Sequence, residues 1–148
     1  MRHIPYGIAV MAVLILVSLF LLNFKIIIVD GPSMQPTYDD KQILLARKYG
    51  QAQINDSVQR NDIIVFKKEG QLMIKRVVGI SGDFIELSNG HISRNGVLIS
   101  PYTYSGEDRD YQLNENEYFV IGDNHQNSMD SREYGAIHSE QILGTIVF

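Results

Sequence analysis

Residues 62–80, DIIVFKKEGQLMIKRVVGI, contain two apolar runs separated by a short polar segment. The runs at 62–66 and 72–80 are rich in β-branched residues, and residues 67–70 between them have the composition of a turn. β-Branched residues fit a pleated, half-buried surface, and a short connection that contains glycine is typical of a hairpin. This stretch therefore predicts an antiparallel β-hairpin, and it sets the fold class of the chain.

Short apolar runs on both sides of the hairpin repeat this composition, and turn signals such as Asn95-Gly96 separate them. Residues 50–60 and 100–116 are polar without a clear period, so we expect loops there, and we expect a short helix after Pro36. The predicted fold is therefore mainly β, with antiparallel strands. The predicted strands lie at residues 26–29, 43–46, 62–66, 72–80, 84–87, 91–94, 97–99, 117–121 and 142–148.

The N-terminal segment differs from the rest, because residues 4–24 include no charged side chain. About 20 helical residues span the core of a bilayer, so this run is long enough to cross one. A cleaved secretory signal peptide is the alternative, but no small-x-small cleavage site follows the run. We expect an uncleaved anchor at residues 1–24 and a separate domain at 25–148. The short head favours a cytoplasmic N-terminus, a single pass through the cell membrane and an extracytoplasmic domain.

The composition excludes several classes of function. The chain has 148 residues, a net charge of −4 and no cysteine, so disulfide and thiol chemistry are excluded. No basic run suggests nucleic acid as a partner. The four histidines are scattered and lack the spacing of a metal-binding motif. We expect neither a metal nor another cofactor.

Residues 31–37, GPSMQPT, are the candidate for a catalytic turn. Gly31 and Pro32 punctuate the chain, and Pro36 biases the residue before it towards extended backbone. Such a turn would hold the hydroxyl of Ser33 in one direction. A serine hydroxyl is a poor nucleophile until a base takes its proton, so the chain must also supply a base. The alternative is that Ser33 belongs to an ordinary surface turn.

Lys75 is the candidate base. It lies beside Arg76 in the longest predicted strand, where alternation points the two side chains to opposite faces. One of the two cations therefore faces inward, and burial lowers the pKa of a lysine so that its neutral amine becomes a competent base. A lysine that protects an exposed strand edge is the alternative.

A polar loop at residues 122–135 is dense in short hydrogen-bonding side chains, which favour side-chain-to-backbone contacts. An ordinary solvated loop is the alternative interpretation. The contacts that we expect from this loop are an ion pair of Asp123 with Arg76, an ion pair of Asp130 with Arg132, and a hydrogen bond from Ser128 or Ser131 to the catalytic amine.

Taken together, these segments resemble the bacterial type I signal peptidases, which are membrane-bound Ser/Lys endopeptidases, and the Gram-positive members in particular. The resemblance covers nearly the whole chain in the same order: an anchor, a nucleophile segment, a structural strand, a base segment and a final polar segment. The chain departs from the family at three positions. Asn61 stands where the family usually has Gly, Ser81 where it often has Pro, and His125 where it often has Arg or Lys. Residues 84–121 are too few for the large extra β domain of some Gram-negative members.

The resemblance implies a role for each matching residue. Ser33 would be the nucleophile, Lys75 the general base, and Ser128 would orient the amine of Lys75. The two ion pairs would hold the walls of the site, and the backbone N–H of Ser33 would donate to the oxyanion. Some members add a serine hydroxyl two residues before the nucleophile. Gly31 occupies that position here, so a backbone group or water must substitute.

The implied substrate is an exported precursor with small residues, typically alanine, at the first and third positions before the cut. Its extended chain would add as a strand along a strand edge, and the domain would rest on the lipid bilayer where the cut site emerges. Met34 can line a substrate pocket or pack in the hydrophobic core, and the sequence favours neither. The residues expected to line the shallow apolar pockets are Ile27, Val29, Met34, Tyr38 and Ile74.

Two other classes of protein share part of this pattern. A catalytically silent homologue would bind signal peptides or assist pilus or surface-protein assembly, but Ser33, Lys75 and Ser128 are all present. A self-cleaving repressor of the LexA type has Ser/Lys chemistry and a related β fold, but it needs a DNA-binding helix-turn-helix where this chain has an apolar segment. We therefore predict a signal-peptidase/LexA-like β domain behind one transmembrane helix, acting as a serine endopeptidase that removes N-terminal signal peptides through an acyl-enzyme.

Overall fold

The computed structural model describes residues 6–147, and its architecture is an N-terminal helix followed by two antiparallel sheets. The prediction of a mainly β fold is therefore confirmed. The helices are α1 (Tyr6–Asn23), α2 (Gln51–Ser57) and α3 (Ser131–Tyr134), with a 3₁₀ turn at Ser139–Gln141. The strands are β1 (Phe24–Ile28), β2 (Ile43–Lys48), β3 (Ile63–Lys68), β4 (Gln71–Gly79), β5 (Phe84–Ser88), β6 (His91–Arg94), β7 (Val97–Thr103), β8 (Arg109–Gln112), β9 (Glu117–Ile121), β10 (Ile137–His138) and β11 (Ile142–Ile146).

Helix α1 buries none of its residues against the rest of the protein. A helix that is apolar on all sides is stable only where another apolar medium covers it, and α1 is long enough to cross a bilayer. Its last turn is tied to the domain, because Lys48 Nζ donates a hydrogen bond to the carbonyl of Leu21 at 2.7 Å. Residues 1–5 of the predicted anchor segment lie outside the described residues.

The predicted hairpin lies in the middle of the larger sheet. Strands β3 and β4 pair antiparallel, with Ile64 opposite Lys75. The strand order is β1-β2-β11-β3-β4-β9-β10, so the hairpin is joined on both sides by strands from distant parts of the chain. Alternation gives each face its own core: Phe66 belongs to a cluster that includes Val77, whereas Val65 belongs to one that includes Met34.

The smaller sheet, in the order β7-β6-β5-β8, corrects the prediction of a loop at residues 100–116. That segment contains the end of β7 and the whole of β8. Strand β8 is a polar edge strand that is fixed by its backbone pairing with β5, and only Tyr111 in it is half-buried. Because a polar edge strand shows no apolar alternation, its sequence has the composition of a loop.

Three further predictions are corrected. Residues 50–60 contain α2, in which Ile54 is the one buried side chain, so the helix is too short to show a period. The segment after Pro36 forms turns rather than the expected helix, with one helical-type bond from the N–H of Tyr38 to the carbonyl of Met34. Helix α3 occupies part of the predicted loop at 122–135. The strand predicted to reach Phe148 extends beyond the described residues.

Candidate active site

The turn that carries Ser33 is held at both ends. Gly31 has φ +87°, a conformation that glycine adopts without strain, and its N–H donates to Asp40 Oδ1 at 2.7 Å. Before it, the N–H of Val29 donates to the carbonyl of Gln42, which closes the loop at its base. The turn that Gly31 and Pro32 predicted is therefore present, and it lies between β1 and β2.

Lys75 reaches the nucleophile candidate from β4. Its Nζ lies 2.9 Å from Ser33 Oγ and donates a second hydrogen bond to the carbonyl of Ile74 at 3.0 Å. Only 3% of Lys75 is exposed, and this burial lowers the pKa of its amine, whereas the negative charge of Asp130 acts in the opposite direction. The amine is therefore biased towards the neutral form, which can accept the hydroxyl proton of Ser33.

Arg76, the neighbour of Lys75, points to the other side of β4. Its Nε and Nη2 donate to the two carboxylate oxygens of Asp123 at 2.8 and 2.6 Å, which is a bidentate pair. Thr37 of the nucleophile turn also bonds to Asp123. Arg76 Nη1 donates to the carbonyl of Asn61, a residue with φ +74°. Asparagine tolerates that conformation, which explains why it can stand where the family usually has glycine.

The second ion pair is almost completely buried. The exposed fractions of the Asp130 and Arg132 side chains are 0% and 8%, and Arg132 Nε and Nη2 both donate to the carboxylate at 2.8 Å. The same carboxylate accepts the N–H of Gly122 at 2.9 Å, and Arg132 Nη1 donates to the carbonyl of Thr103. Ser131 is engaged elsewhere, since its Oγ accepts the N–H of Val120. The pair thus joins the last segment to both sheets.

Ser128 lies close to Gly122 and makes no side-chain hydrogen bond to Lys75. Its hydroxyl is buried and has no hydrogen-bond partner within residues 6–147. A Cβ atom added at Gly122 would overlap this hydroxyl and would lie 2.6 Å from the carbonyl oxygen of Ser33, so these three residues are in close contact. The orientation of the Lys75 amine by Ser128 remains a prediction.

An open cavity of about 500 Å³ begins at Ser33, and it is lined largely by apolar side chains. Four of the five predicted pocket residues line it, whereas Tyr38 does not and packs instead against the core cluster that contains Met34. Sequence reasoning missed four lining residues. Two of them, Ile28 and Asp30, are neighbours of predicted ones, whereas Gln71 and Leu72 were missed because nothing in the sequence shows that the start of β4 faces β1 across the cavity. The lining residues are Ile27, Ile28, Val29, Asp30, Ser33, Met34, Gln71, Leu72 and Ile74.

The family was identified by comparison with known proteins. The signal peptidase family, peptidase S26, matches residues 3–148. The chain belongs to this family. Signal peptidase I of Bacillus amyloliquefaciens is 31% identical over 94% of this chain and 82% of its own length. Signal peptidase I S of Bacillus subtilis is 32% identical over 82% of this chain and 73% of its own length.

A solved structure agrees with the family. The crystal structure of a signal peptidase I from Enterococcus faecalis matches 60% of this chain and 96% of its own, with a TM-score of 0.50 and 27% identity. The resemblance that the sequence segments indicated is therefore confirmed. The prediction of a hydrolase of the signal peptidase family is confirmed with it.

The close contact at Gly122 predicts that Gly122→Ala will lower the rate of precursor cleavage by about 100-fold, because a displacement of about 1 Å at a reacting group can have that effect. The added methyl group must push away the hydroxyl of Ser128 or the backbone of Ser33. The single-turnover cleavage rate of the detergent-solubilised protein measures this. Gly50→Ala is the matched control, because a Cβ there has its nearest neighbour at 3.8 Å. A wild-type rate in Gly122→Ala would contradict the crowded geometry.

Proposed function

We propose that the protein removes N-terminal signal peptides from exported precursors by acyl transfer, with Ser33 as the nucleophile and Lys75 as the general base. The observation that carries this proposal is the 2.9 Å contact between Lys75 Nζ and Ser33 Oγ beside an open cavity. A buried lysine with a lowered pKa has few structural reasons to face a serine, whereas a Ser/Lys peptidase requires that arrangement.

The reaction proceeds in two halves. The neutral amine of Lys75 takes the hydroxyl proton of Ser33 as Oγ attacks the scissile carbonyl, and the backbone N–H of Ser33 donates to the oxyanion. The intermediate collapses, and the leaving amine of the mature protein takes its proton from the Lys75 ammonium. The signal peptide is left as an ester of Ser33. Water then attacks this ester with Lys75 again as the base, which releases the peptide and restores the hydroxyl.

The cavity beside Ser33 supports an extended substrate. Strand β1 is the edge of the larger sheet, so its free backbone groups can pair with an added strand. Side chains of Ile27, Val29, Met34 and Ile74 line the cavity beside it, which leaves shallow apolar space. Small side chains before the cut fit such space, in agreement with a substrate that carries alanine at the first and third positions.

The surface of β1 and β2 supports contact with a bilayer. Ile26 and Ile28 in β1, directly after the apolar helix α1, are 65% and 61% exposed, and Ile43, which pairs with Ile28, is 69% exposed. A contiguous apolar surface next to a membrane-spanning helix is stable when lipid covers it. These features support the proposal that the protein lies in the cell membrane as a single-pass protein with a cytoplasmic N-terminus and an extracytoplasmic domain, with signal peptides and the bilayer as its partners.

The test is cleavage of a purified precursor with an Ala-x-Ala site by the detergent-solubilised protein. We expect cleavage at that site by the wild type and by Ser57→Ala, a control serine at the end of α2, and none by Ser33→Ala. Cleavage that survives in Ser33→Ala would remove this serine from the mechanism. A folded wild type that binds several precursors and cleaves none would instead identify a silent homologue.

A further inference from the structure

Asn124 makes two contacts with the nucleophile turn that the mechanism above does not use. Its side-chain Nδ2 donates to the carbonyl of Pro32 at 3.1 Å, and its backbone N–H donates to the carbonyl of Ser33 at 3.0 Å. We infer that Asn124 is a positioning residue that aims the backbone N–H of Ser33 at the oxyanion. The inference rests on the proposed roles of Ser33 and Lys75.

The argument begins with the peptide bond between Pro32 and Ser33. Within residues 6–147 the cis peptide bonds occur before Pro36 and Pro101, so this one is trans. In a planar trans peptide the C=O and the N–H point in opposite directions. A donor that holds the carbonyl of Pro32 therefore also fixes the direction of the Ser33 N–H.

Two donors hold that carbonyl. The N–H of Gln35 donates to it at 3.0 Å within the turn, and Asn124 Nδ2 is the second donor, from a loop that lies 92 residues away in sequence. The local bond fixes this carbonyl only within the turn, whereas the second bond fixes it against the loop after β9, to which Thr37 and the carbonyl of Ser33 are also hydrogen-bonded. The N–H of Ser33 donates to no backbone carbonyl within residues 6–147, so it is free for the substrate.

The direction of this N–H is important because two groups at Gly31 cannot assist it. Gly31 carries no hydroxyl, and its own N–H is engaged by Asp40 Oδ1. A hydrogen bond weakens steeply as its angle departs from linearity, so a peptide free to rotate would stabilise the oxyanion less. Asn124 is itself held, since the N–H of Asn127 donates to its carbonyl at 2.9 Å and the neighbouring Asp123 is paired with Arg76.

The test is Asn124→Ala in the full-length, detergent-solubilised protein with the Ala-x-Ala precursor. Loss of a whole oxyanion donor costs about 10²–10³-fold in kcat, and a misaimed donor keeps part of its effect, so we expect kcat to fall by about 10- to 100-fold. KM and the acid limb of the pH profile should stay at their wild-type values, because neither the cavity nor Lys75 is touched. Asn124→Asp, which has the same shape but no side-chain donor, should lose at least as much.

A transition-state analogue distinguishes a misdirected Ser33 N–H from a general disordering of the active site. A peptide aldehyde that ends in alanine forms a tetrahedral adduct on a serine hydroxyl, so its affinity should fall by the same factor as kcat/KM in Asn124→Ala. The affinity for the cleaved signal peptide, which forms no adduct, should not change. Asn114→Ala is the control, because that asparagine is also hydrogen-bonded, to Glu117 at 3.1 Å, and lies in another loop.

Three results would overturn the inference: a wild-type kcat in both Asn124 variants, a rise in KM at constant kcat, or a shifted acid limb. The last two would mean that Asn124 shapes the cavity or the environment of Lys75 instead. If Asn124→Ala fails to fold, Asn124→Leu, which is neutral and of similar size but has no side-chain donor, decides by the same measurements. Failure of the proposed function would be seen separately, as cleavage that survives in Ser33→Ala.

Discussion

Lys75→Ala is expected to abolish precursor cleavage while the domain stays folded. A positioned general base contributes about 10²–10⁴-fold, and Lys75 acts in both halves of the reaction, so the residual rate should fall by at least that factor. The hydrogen bonds of its side chain within residues 6–147 go to Ser33 and to the carbonyl of its neighbour Ile74, and the backbone pairing of β4 does not depend on the side chain. The cleavage rate together with the circular dichroism spectrum measures this result.

Lys67→Ala is the matched control, because Lys67 is exposed in β3 and lies outside the site. Its cleavage rate should equal that of the wild type. Retained cleavage by a purified Lys75→Ala protein would remove the lysine from the mechanism. Lys75→Arg should also be inactive, because a guanidinium does not give up its proton in a protein.

The same residue should determine how the wild-type rate depends on pH. The ammonium form of Lys75 cannot accept a proton, so kcat/KM should rise as the pH increases through its pKa and the amine becomes neutral. Burial lowers that pKa from the ordinary value of 10.5, so the acid limb should lie below pH 10.5. A limb at the ordinary lysine value would show that burial does not tune this amine.

The sequence predicts those parts of the structure whose side chains carry a pattern. The hairpin of β3 and β4 has a strong run of β-branched residues, and Lys75 and Arg76 are assigned to opposite faces by strand alternation alone. The short helices α2 and α3 and the edge strand β8 are missed, because backbone pairing and single buried residues hold them. In such elements the tertiary contacts decide the conformation, and local composition carries little signal.

The sequence also does not predict which single residues meet in the site. Ser33 and Lys75 are 42 positions apart, and family resemblance rather than any local rule brings them together in the prediction. The hydrogen bond from Asn124 to Pro32 joins residues 92 positions apart. The polar loop contains several asparagines and serines, and the sequence does not show which of them contacts the nucleophile turn. The packing of Ser128 against Gly122 depends on loop coordinates that no spacing specifies.

Asp130→Ala is expected to be the most destabilising of the substitutions considered. Removing one partner of a buried ion pair costs about 3–5 kcal/mol, because the remaining charge stays uncompensated. Here the guanidinium of Arg132 would lose both of its carboxylate bonds, and the N–H of Gly122 would lose its acceptor. The thermal unfolding midpoint, followed by circular dichroism, should fall well below that of the wild type.

Asp56→Ala is the control for this stability measurement, because Asp56 is an exposed residue of α2 with no ion pair within residues 6–147. Surface substitutions of this kind usually stay within about 0.5 kcal/mol of the wild type. Equal midpoints for the two alanine variants would show that the buried pair contributes little. The pair would then serve the site through its charge alone.

The isosteric variant Asp130→Asn isolates that charge. The carboxylate of Asp130 favours the ammonium form of Lys75, so its negative charge raises a pKa that burial lowers. Removing the charge while keeping the shape should lower the pKa of Lys75 further, and the acid limb of kcat/KM should therefore move to lower pH. An unmoved limb would mean that solvent or Arg132 already cancels the charge of Asp130 at the amine. A limb that moves to higher pH would contradict the electrostatic order proposed for the site.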